Sequence, residues 1–326
     1  MAVSRRTLLM VVAGGALAGC GARTAVSGAG TGAPVPSVSA PVTASGTESG
    51  IPAETAAAPT AAATPAPADP TAPAPATAAP ATAAPATAAP KKEPTRAEVV
   101  ERYGEASPAD WGLDVPGVIT ELPDGESATA LTFDACGGPG GNGYDADLID
   151  FLRAHAVPAT LFLNARWIDA NPDEFEQLAA DPLFEIGNHG TVHRPLSVTG
   201  RSAYGIAGTS DVGEVYDEVA GNARKLAALL GQPPRFFRSG TAHYDDVATR
   251  IVADLGERVA GFTVNGDGGA TLSASQVRQE VASAGPGAIV IGHLNHPGGG
   301  TAPGVAAAVP GMLAAGRRFV RLSDVM

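Results

Sequence analysis

Residues 95–326 are predicted to form an α/β domain built on a parallel sheet of about seven strands. Short apolar runs of strand length alternate with segments whose apolar residues recur at helical spacing. The alternation continues over about 230 residues, which is enough for one large domain with its own core. Polar side chains that suit catalysis follow several of the predicted strands. From these patterns alone the sheet is either a barrel or an open doubly wound sheet.

The elements follow one another along the chain. Thr95 and Glu98 fit a capping box, which predicts a first helix at 96–103, before an irregular lead-in at 107–121. The predicted strands cover 128–133, 159–163, 183–187, 235–238, 259–264, 288–292 and 319–322. The predicted helices cover 144–155, 172–180, 212–230, 245–255, 273–283 and 305–315, the last one interrupted or kinked at Pro310.

Residues 1–20 are predicted to be a signal peptide. The arginine pair Arg5-Arg6 precedes an apolar run at 8–18 that is too short to span a membrane. Small residues before Cys20 resemble the cleavage site of bacterial lipoproteins. We therefore expect that the protein is exported and that lipid on Cys20 anchors it to the membrane, at the outer face of the bacterial cytoplasmic membrane. An ordinary cleaved signal is the alternative.

Residues 21–94 are rich in Ala, Pro and Thr and are predicted to be a disordered linker, because they cannot bury enough apolar surface to fold. The domain at 95–326 would then sit on a tether. The formal net charge of −12 argues against nucleic acid as a partner. Cys136 is the only other cysteine, so no intrachain disulfide is expected once Cys20 is lipidated.

Candidate functional side chains follow five of the predicted strands. Because the carboxyl ends of parallel strands meet at one edge or mouth of a sheet, these side chains are expected to share one site. They are Asp134 after the first strand, His189 and His193 after the third, Arg238 after the fourth, Asp267 after the fifth and His293 after the sixth.

This set contains the groups needed for metal-assisted hydrolysis of an amide or ester. Two neutral imidazoles, His189 and His193, bind zinc well and leave positions open for water and substrate. A nearby carboxylate, Asp134, can take a proton from water, and His293 can protonate the leaving atom.

The same residues resemble the polysaccharide deacetylases, carbohydrate esterase family four, over about residues 128–322. The resemblance implies a distorted (β/α) barrel of about seven strands and removal of acetyl groups from N-acetylated sugars. The matching segments are Thr132-Phe133-Asp134-Ala135, His189-Gly190-Thr191-Val192-His193, Arg238-Ser239-Gly240-Thr241, Gly266-Asp267-Gly268 and Ile291-Gly292-His293.

The resemblance also implies a role for each matching residue. The backbone N–H near Thr241 would help to stabilise the tetrahedral oxyanion. Asp134 would be the general base, and Arg238 would hold it in place. His189 and His193 would be ligands of a divalent metal, expected to be Zn²⁺. His293 would be the general acid, and Asp267 would orient it.

The chain departs from the family pattern at several positions. Ala135 stands where the family has an aspartate as third metal ligand. His296, Asp145 and Asp134, in that order, are the candidates to replace it, so the predicted ligands are His189, His193 and His296. Gly190 replaces Ser or Thr, Thr241 replaces Tyr, and the tryptophan usual near the fourth motif is missing. Cys136 is expected to be a small buried residue rather than a soft metal ligand or a nucleophile.

These features predict a metal-dependent hydrolase that deacetylates an N-acetylated cell-envelope or extracellular polysaccharide. Two alternatives stay open. One is a non-catalytic glycan-binding lipoprotein with a degenerate metal site, and the other is an esterase acting on O-acetylated carbohydrate.

Overall fold

The computed structural model describes residues 92–326, which contain eight α-helices and one 3₁₀-helix at Leu322–Asp324. The α-helices are α1 (Arg96–Tyr103), α2 (Ala146–Ala154), α3 (Ala165–Ala170), α4 (Pro172–Ala180), α5 (Val212–Leu230), α6 (Asp246–Asp254), α7 (Ala274–Ser283) and α8 (Thr301–Ala314). Among these residues, no helix combines the length and the apolar character that a membrane span needs.

The strands form one large parallel sheet and one small antiparallel pair. They are β1 (Trp111–Gly112), β2 (Val118–Ile119), β3 (Ala130–Ala135), β4 (Ala159–Leu163), β5 (Phe184–Asn188), β6 (Phe236–Phe237), β7 (Tyr244–Asp245), β8 (Arg258–Ala260), β9 (Val264–Asn265) and β10 (Ile289–His293). The large sheet has the order β2-β8-β6-β5-β4-β3-β10-β9, and β1 pairs with β7.

The sheet curves into a distorted barrel. Strand β8 pairs near one end of the strand order and β9 lies at the other end, yet only residues 261–263 separate them in the chain. Three residues span about 10 Å, so the two ends of the sheet must approach each other. The predicted parallel sheet in a distorted (β/α) barrel is thus confirmed, with eight strands instead of about seven.

Alternation along β3 divides its side chains between two environments. Leu131, Phe133 and Ala135 pack in a core cluster with residues of α2, α4, α7 and α8. Ala130 packs in a different cluster with Phe162 and residues of β6, β8 and β10, which lies inside the barrel. Asp134 follows Thr132 by two residues and Ala130 by four, so its side chain lies on the same side of the strand as theirs.

Two sequence predictions were wrong in detail. The segment at 319–322 is not a strand: Phe319 makes one isolated bridge to Thr129, and the chain then turns into the 3₁₀-helix. The Asp324 carboxylate accepts from the Arg321 backbone N–H and favours that turn over an extended strand. The single strand predicted at 259–264 is instead two short strands, β8 and β9. Residues 261–263 between them connect one end of the sheet to the other.

The predicted helices are all present, and α1 begins with the predicted capping box at Thr95. The lead-in at 107–121 is not wholly irregular, because it contains β1 and β2. The helix α3, which Asn164 caps, was not predicted. The predicted signal peptide with Cys20, and the linker up to residue 91, lie outside the described residues.

A buried carboxyl group lies beneath the end of β5. Glu257 is only 3% exposed, and its Oε1 accepts a hydrogen bond of 3.0 Å from the Asn188 side-chain amide. Burial raises the pKa of Glu257 well above its usual value, although the bond from Asn188 opposes this, and the charge of Glu93 raises it further. The folded protein therefore holds a proton on Glu257 at pH values where the unfolded chain has released it.

We predict that Glu257→Gln flattens the dependence of stability on pH. Above a pH of about 4.3, Glu257 is deprotonated in the unfolded chain but still protonated in the folded protein. The free energy of unfolding therefore falls as the pH rises toward the folded-state pKa of this residue. Urea unfolding at pH 5 and pH 8 should give a smaller loss of unfolding free energy for the variant than for the wild type. The control is Glu176→Gln, an exposed position on α4. Equal losses in both variants would contradict the buried protonated carboxyl.

Candidate active site

The candidate residues meet at the carboxyl ends of the strands. Asp134 and His293 lie opposite each other in the parallel pairing of β3 with β10. Both side chains line a cavity of about 510 Å³, together with His193 and His296. Two larger clefts, of about 630 and 700 Å³, lie elsewhere in the described residues and contain no histidine or cysteine. Of the predicted strand-end residues, Asp134, His193 and His293 therefore line one cavity, whereas His189, Arg238 and Asp267 are not among its lining residues.

Arg238 holds Asp134 from across the barrel interior. Its Nη1 donates to Asp134 Oδ1 at 2.8 Å and to Thr132 Oγ1 at 2.9 Å. Its other nitrogens donate to the carbonyls of Ala260 and Gly261, and its guanidinium carbon lies 4.3 Å from the centre of the Phe162 ring. Arg238 is completely buried, so its charge needs the Asp134 carboxylate as a partner.

The environment of His189 fixes which ring nitrogen is free. Nδ1 lies 2.9 Å from the Arg238 carbonyl oxygen, and a carbonyl only accepts, so Nδ1 carries the hydrogen. Nε2 is then the lone-pair nitrogen in the neutral ring, and it lies 3.7 Å from Asp134 Oδ2. A backbone carbonyl on Nδ1 is the usual partner that orients a metal-binding histidine.

A buried carboxylate, Glu218, shapes the loop that carries His193. Glu218 accepts from the backbone N–H of Val192 at 3.0 Å and of Arg194 at 3.1 Å, and burial raises its pKa despite these bonds. His193 itself has a positive φ of 65°, which is uncommon outside glycine. At Gly190, with φ of 76°, any side chain would collide with Glu218. Glycine therefore replaces the family's Ser or Thr for a steric reason.

His293 and Asp267 form a hydrogen-bonded pair. His293 Nδ1 lies 3.0 Å from Asp267 Oδ1, and Asp267 Oδ2 accepts from the His293 backbone N–H and from Thr301 Oγ1. Burial alone lowers the pKa of His293, but the hydrogen bond that its ring donates to Asp267 raises it, and the pKa lies well above the usual value. The pair thus favours a protonated ring at neutral pH, with the other ring nitrogen available to the cavity.

Three ligand atoms converge beside Asp134. Those of Cys136, His189 and His193 all lie within 4.8 Å of one another, and Cys136 Sγ is 3.9 Å from His189 Nε2. Nε2 of His193 is buried and has no hydrogen-bond partner in residues 92–326. One sulfur and two imidazole nitrogens are a donor set that suits zinc, so these residues fit the expected metal.

Of the other candidates for a third ligand, His296 and Asp145 lie apart from this group, whereas Asp134 lies beside it, with Oδ2 3.7 Å from His189 Nε2. His296 lines the cavity, but its ring centre is 6.4 Å from that of His293, and its Nε2 lies 3.3 Å from the Asn295 amide nitrogen. Asp145 caps α2 by accepting from the Leu148 backbone N–H. Asp134 is occupied by Arg238 through Oδ1. None of the three belongs to the converging group.

Cys136 is only partly buried and lines the cavity, so the expectation of a small buried residue was wrong. Burial alone raises the pKa of its thiol, but the rings of His189, His193 and His293 lower it well below the usual value. Strand alternation was the available signal. Cys136 follows Asp134 by two residues, just past the end of β3, and lines the same cavity, whereas Ala135 is fully buried in the outer core cluster.

Two supporting residues were also missed. Asn164 donates through its side-chain amide to the carbonyls of His189 and Gly190, at 2.9 and 2.8 Å. Glu218 has the role described above. Both lie far from the histidines in the sequence, and no local spacing pattern marks them.

The rim of the cavity carries exposed apolar side chains. Tyr204 is 77% exposed and meets the ring of His243 edge-on at 5.1 Å. Ile206 and Leu113 line the same opening and are each 37% exposed. The rim thus offers an exposed aromatic ring at the opening of the cavity.

Comparison with known proteins finds similar sequences. Residues 122–260 match the polysaccharide deacetylase family model. A chitooligosaccharide deacetylase from Bradyrhizobium sp. (strain ANU 289) is 27% identical over 178 residues, which are 54% of this chain and 74% of that protein.

Solved structures share the fold. A CE4 family pseudoenzyme from Bacillus anthracis matches with a TM-score of 0.54 and 22% identity, over 65% of this chain and 69% of that one. PdaA from Bacillus subtilis, a family 4 carbohydrate esterase, matches with a TM-score of 0.53 and 19% identity, over 70% and 87%. By sequence, residues 122–260 therefore form a polysaccharide deacetylase domain, and the solved structures show that the chain shares the fold of the family 4 carbohydrate esterases.

Proposed function

We propose that this protein is a metal-dependent hydrolase that removes acetyl groups from an N-acetylated cell-envelope or extracellular polysaccharide. The observation that carries the proposal is the convergence of Asp134, His193 and His293 on one cavity, with His189 directly behind them. The Bradyrhizobium relative is named for deacetylation of chitooligosaccharides, which supports an N-acetylated glycan as the substrate.

A divalent cation bound to His189 and His193, proposed to be Zn²⁺, would lower the pKa of a water and polarise the acetyl carbonyl. Asp134 takes the proton from the attacking water. Arg238 fixes the orientation of that carboxylate through the bond to Oδ1, which leaves Oδ2 on the side of His189. His293 donates a proton to the leaving amine nitrogen, and Asp267 holds the ring in place through Nδ1.

The backbone beside Thr241 completes the proposed site. Thr241 lines the cavity, and a backbone N–H there would donate to the oxyanion that forms on the acetyl carbonyl oxygen. At the rim, the exposed ring of Tyr204 is suited to stack on the apolar face of a sugar.

A specific observation keeps one alternative in view. Ala135 stands where the family has a metal-binding aspartate, and one structural neighbour is described as a pseudoenzyme. A glycan-binding protein without turnover would keep the barrel and the rim but would bind no metal stoichiometrically.

We predict that His293→Gln lowers kcat for acetate release from a chitin oligomer or peptidoglycan by about 10²- to 10⁴-fold. The metal content should not change, because His293 acts on the leaving group and not on the cation. His189→Ala should remove both metal and turnover. The control is His155→Gln at the end of α2, an exposed ring that packs on Phe151.

Acetate release and metal content together separate the possibilities. Wild-type protein without stoichiometric metal and without acetate release would favour the glycan-binding alternative. Release from O-acetylated xylan but from neither N-acetylated glycan would favour the esterase.

We predict that Tyr204→Ala raises KM for a chitin oligomer by about 3- to 10-fold while kcat changes little, because an aromatic stacking contact contributes about 0.5–1.5 kcal/mol. Steady-state kinetics with oligomers of increasing length test this. Leu229→Ala, at an exposed position of α5, is the control. An unchanged KM in the Tyr204 variant would exclude the rim from substrate binding.

The proposal includes export and a lipid anchor on Cys20, supported by the arginine pair, the short apolar run and the small residues before that cysteine. We predict that Cys20→Ser moves the protein from the membrane fraction to the soluble fraction. Cell fractionation and detection of lipid on the mature chain test this prediction. Equal membrane association of variant and wild type would contradict the anchor.

A further inference from the structure

We propose that the Cys136 thiolate is the third protein ligand of the cation, in place of the aspartate that the family has at the position of Ala135. The inference rests on the proposed function only in assuming that a divalent cation binds at His189 and His193. It adds the identity of the ligand that completes the site.

The distances fit a single ion. Bond lengths of about 2.3 Å for zinc–sulfur and 2.0–2.1 Å for zinc–nitrogen at tetrahedral angles require a separation of about 3.6 Å between sulfur and nitrogen. Cys136 Sγ lies 3.9 Å from His189 Nε2, and the ligand atoms of Cys136, His189 and His193 are all within 4.8 Å of one another. Shifts of a few tenths of an ångström up to about 1 Å in side-chain position would therefore bring all three into contact with one cation.

The orientations of the two histidines also fit. Nδ1 of His189 donates to the Arg238 carbonyl, which directs the lone pair of Nε2 toward the sulfur. Nε2 of His193 is buried without a hydrogen-bond partner among the described residues. A buried imidazole nitrogen without a partner is costly, and a shared cation supplies one for it.

Strand geometry explains why Cys136 and not residue 135 faces the histidines. Side chains alternate across a strand, so Ala135, the last residue of β3, points away from Asp134, whereas Cys136, just past the strand, lines the same cavity as Asp134. Ala135 is fully buried in the core cluster that packs against the surrounding helices. Its side chain faces away from the cavity, and an aspartate there would place a carboxylate in that core.

The replacement conserves the charge of the site. A thiolate and two neutral imidazoles carry the same total charge as a carboxylate and two neutral imidazoles. When the cation binds, the sulfur–hydrogen bond breaks, the sulfur–metal bond forms, and the proton goes to water. A thiolate favours zinc, cadmium or cobalt over magnesium, calcium or manganese.

The test is cobalt binding to the metal-free full chain, followed by absorption spectroscopy. A thiolate ligand gives a charge-transfer band in the near ultraviolet that nitrogen and oxygen ligands do not give. We expect the band in wild type and in Cys20→Ser, which removes the chain's only other cysteine. Cys136→Ser should lose the band and bind the metal more than about 10²-fold more weakly, since even losing a partner of a ligand costs 10- to 100-fold.

If Cys136→Ser folds poorly, a conservative variant and a chemical probe test the same ligand. Cys136→Asp should bind cobalt without the charge-transfer band. In the wild type, bound zinc should protect Cys136 from alkylation by iodoacetamide, as measured by mass spectrometry, and His189→Ala should lose that protection.

The outcomes distinguish this inference from the proposed function. A wild-type cobalt complex without the band, or a Cys136→Ser variant with unchanged affinity and spectrum, would overturn the thiolate ligand while leaving a metal-dependent hydrolase intact. A wild type that binds no metal at all would overturn both.

Discussion

The site depends on one buried residue, Arg238, and its ion pair with Asp134. The guanidinium reaches from the end of β6 to β3, which lies three strands away in the sheet, and also bonds the two carbonyls at the end of β8. The backbone carbonyl of the same residue accepts from His189 Nδ1. One residue therefore orients both the carboxylate and a histidine that the proposed reaction needs.

Burial makes this arrangement specific. Arg238 is fully buried and Asp134 is 2% exposed, so removing either partner would leave an uncompensated charge in the barrel. Breaking such a pair typically costs about 3–5 kcal/mol, a large share of the stability of a domain. The four acceptors around the guanidinium match its planar geometry, which a lysine could not satisfy in the same way. The interior of the barrel thus fixes the geometry at its mouth.

Sequence patterns predicted the parts of this structure that local periodicity encodes. Apolar runs located β3, β4, β5 and β10, and parallel pairing then required Asp134, His189, Arg238 and His293 to meet. Boundaries failed where side-chain contacts rather than periodicity decide them, as at 319–322, where the Arg321 N–H donates to the Asp324 carboxylate and the Leu322 N–H to Thr160 Oγ1. The two-residue strands β1, β2 and β7 have no periodicity to detect.

The support of the histidine loop was also invisible in the sequence. Glu218 lies on α5, 25 residues after His193, and acts through backbone N–H groups that no side-chain pattern reports. The family's metal-binding aspartate aligns with Ala135, so the sequence offered no reason to expect a ligand at Cys136. The structure places Cys136, and not Ala135, in the cavity beside Asp134.

The central claim is that one cation binds between these side chains at the mouth of the barrel. The most direct measurement is an anomalous difference map at the zinc absorption edge, from a crystal of the zinc-loaded protein. The account predicts one peak at bonding distance from His189 Nε2, the His193 ring and Cys136 Sγ, with Asp134 and His293 facing it across the cavity. No peak there, or a peak bound by other residues, would contradict it.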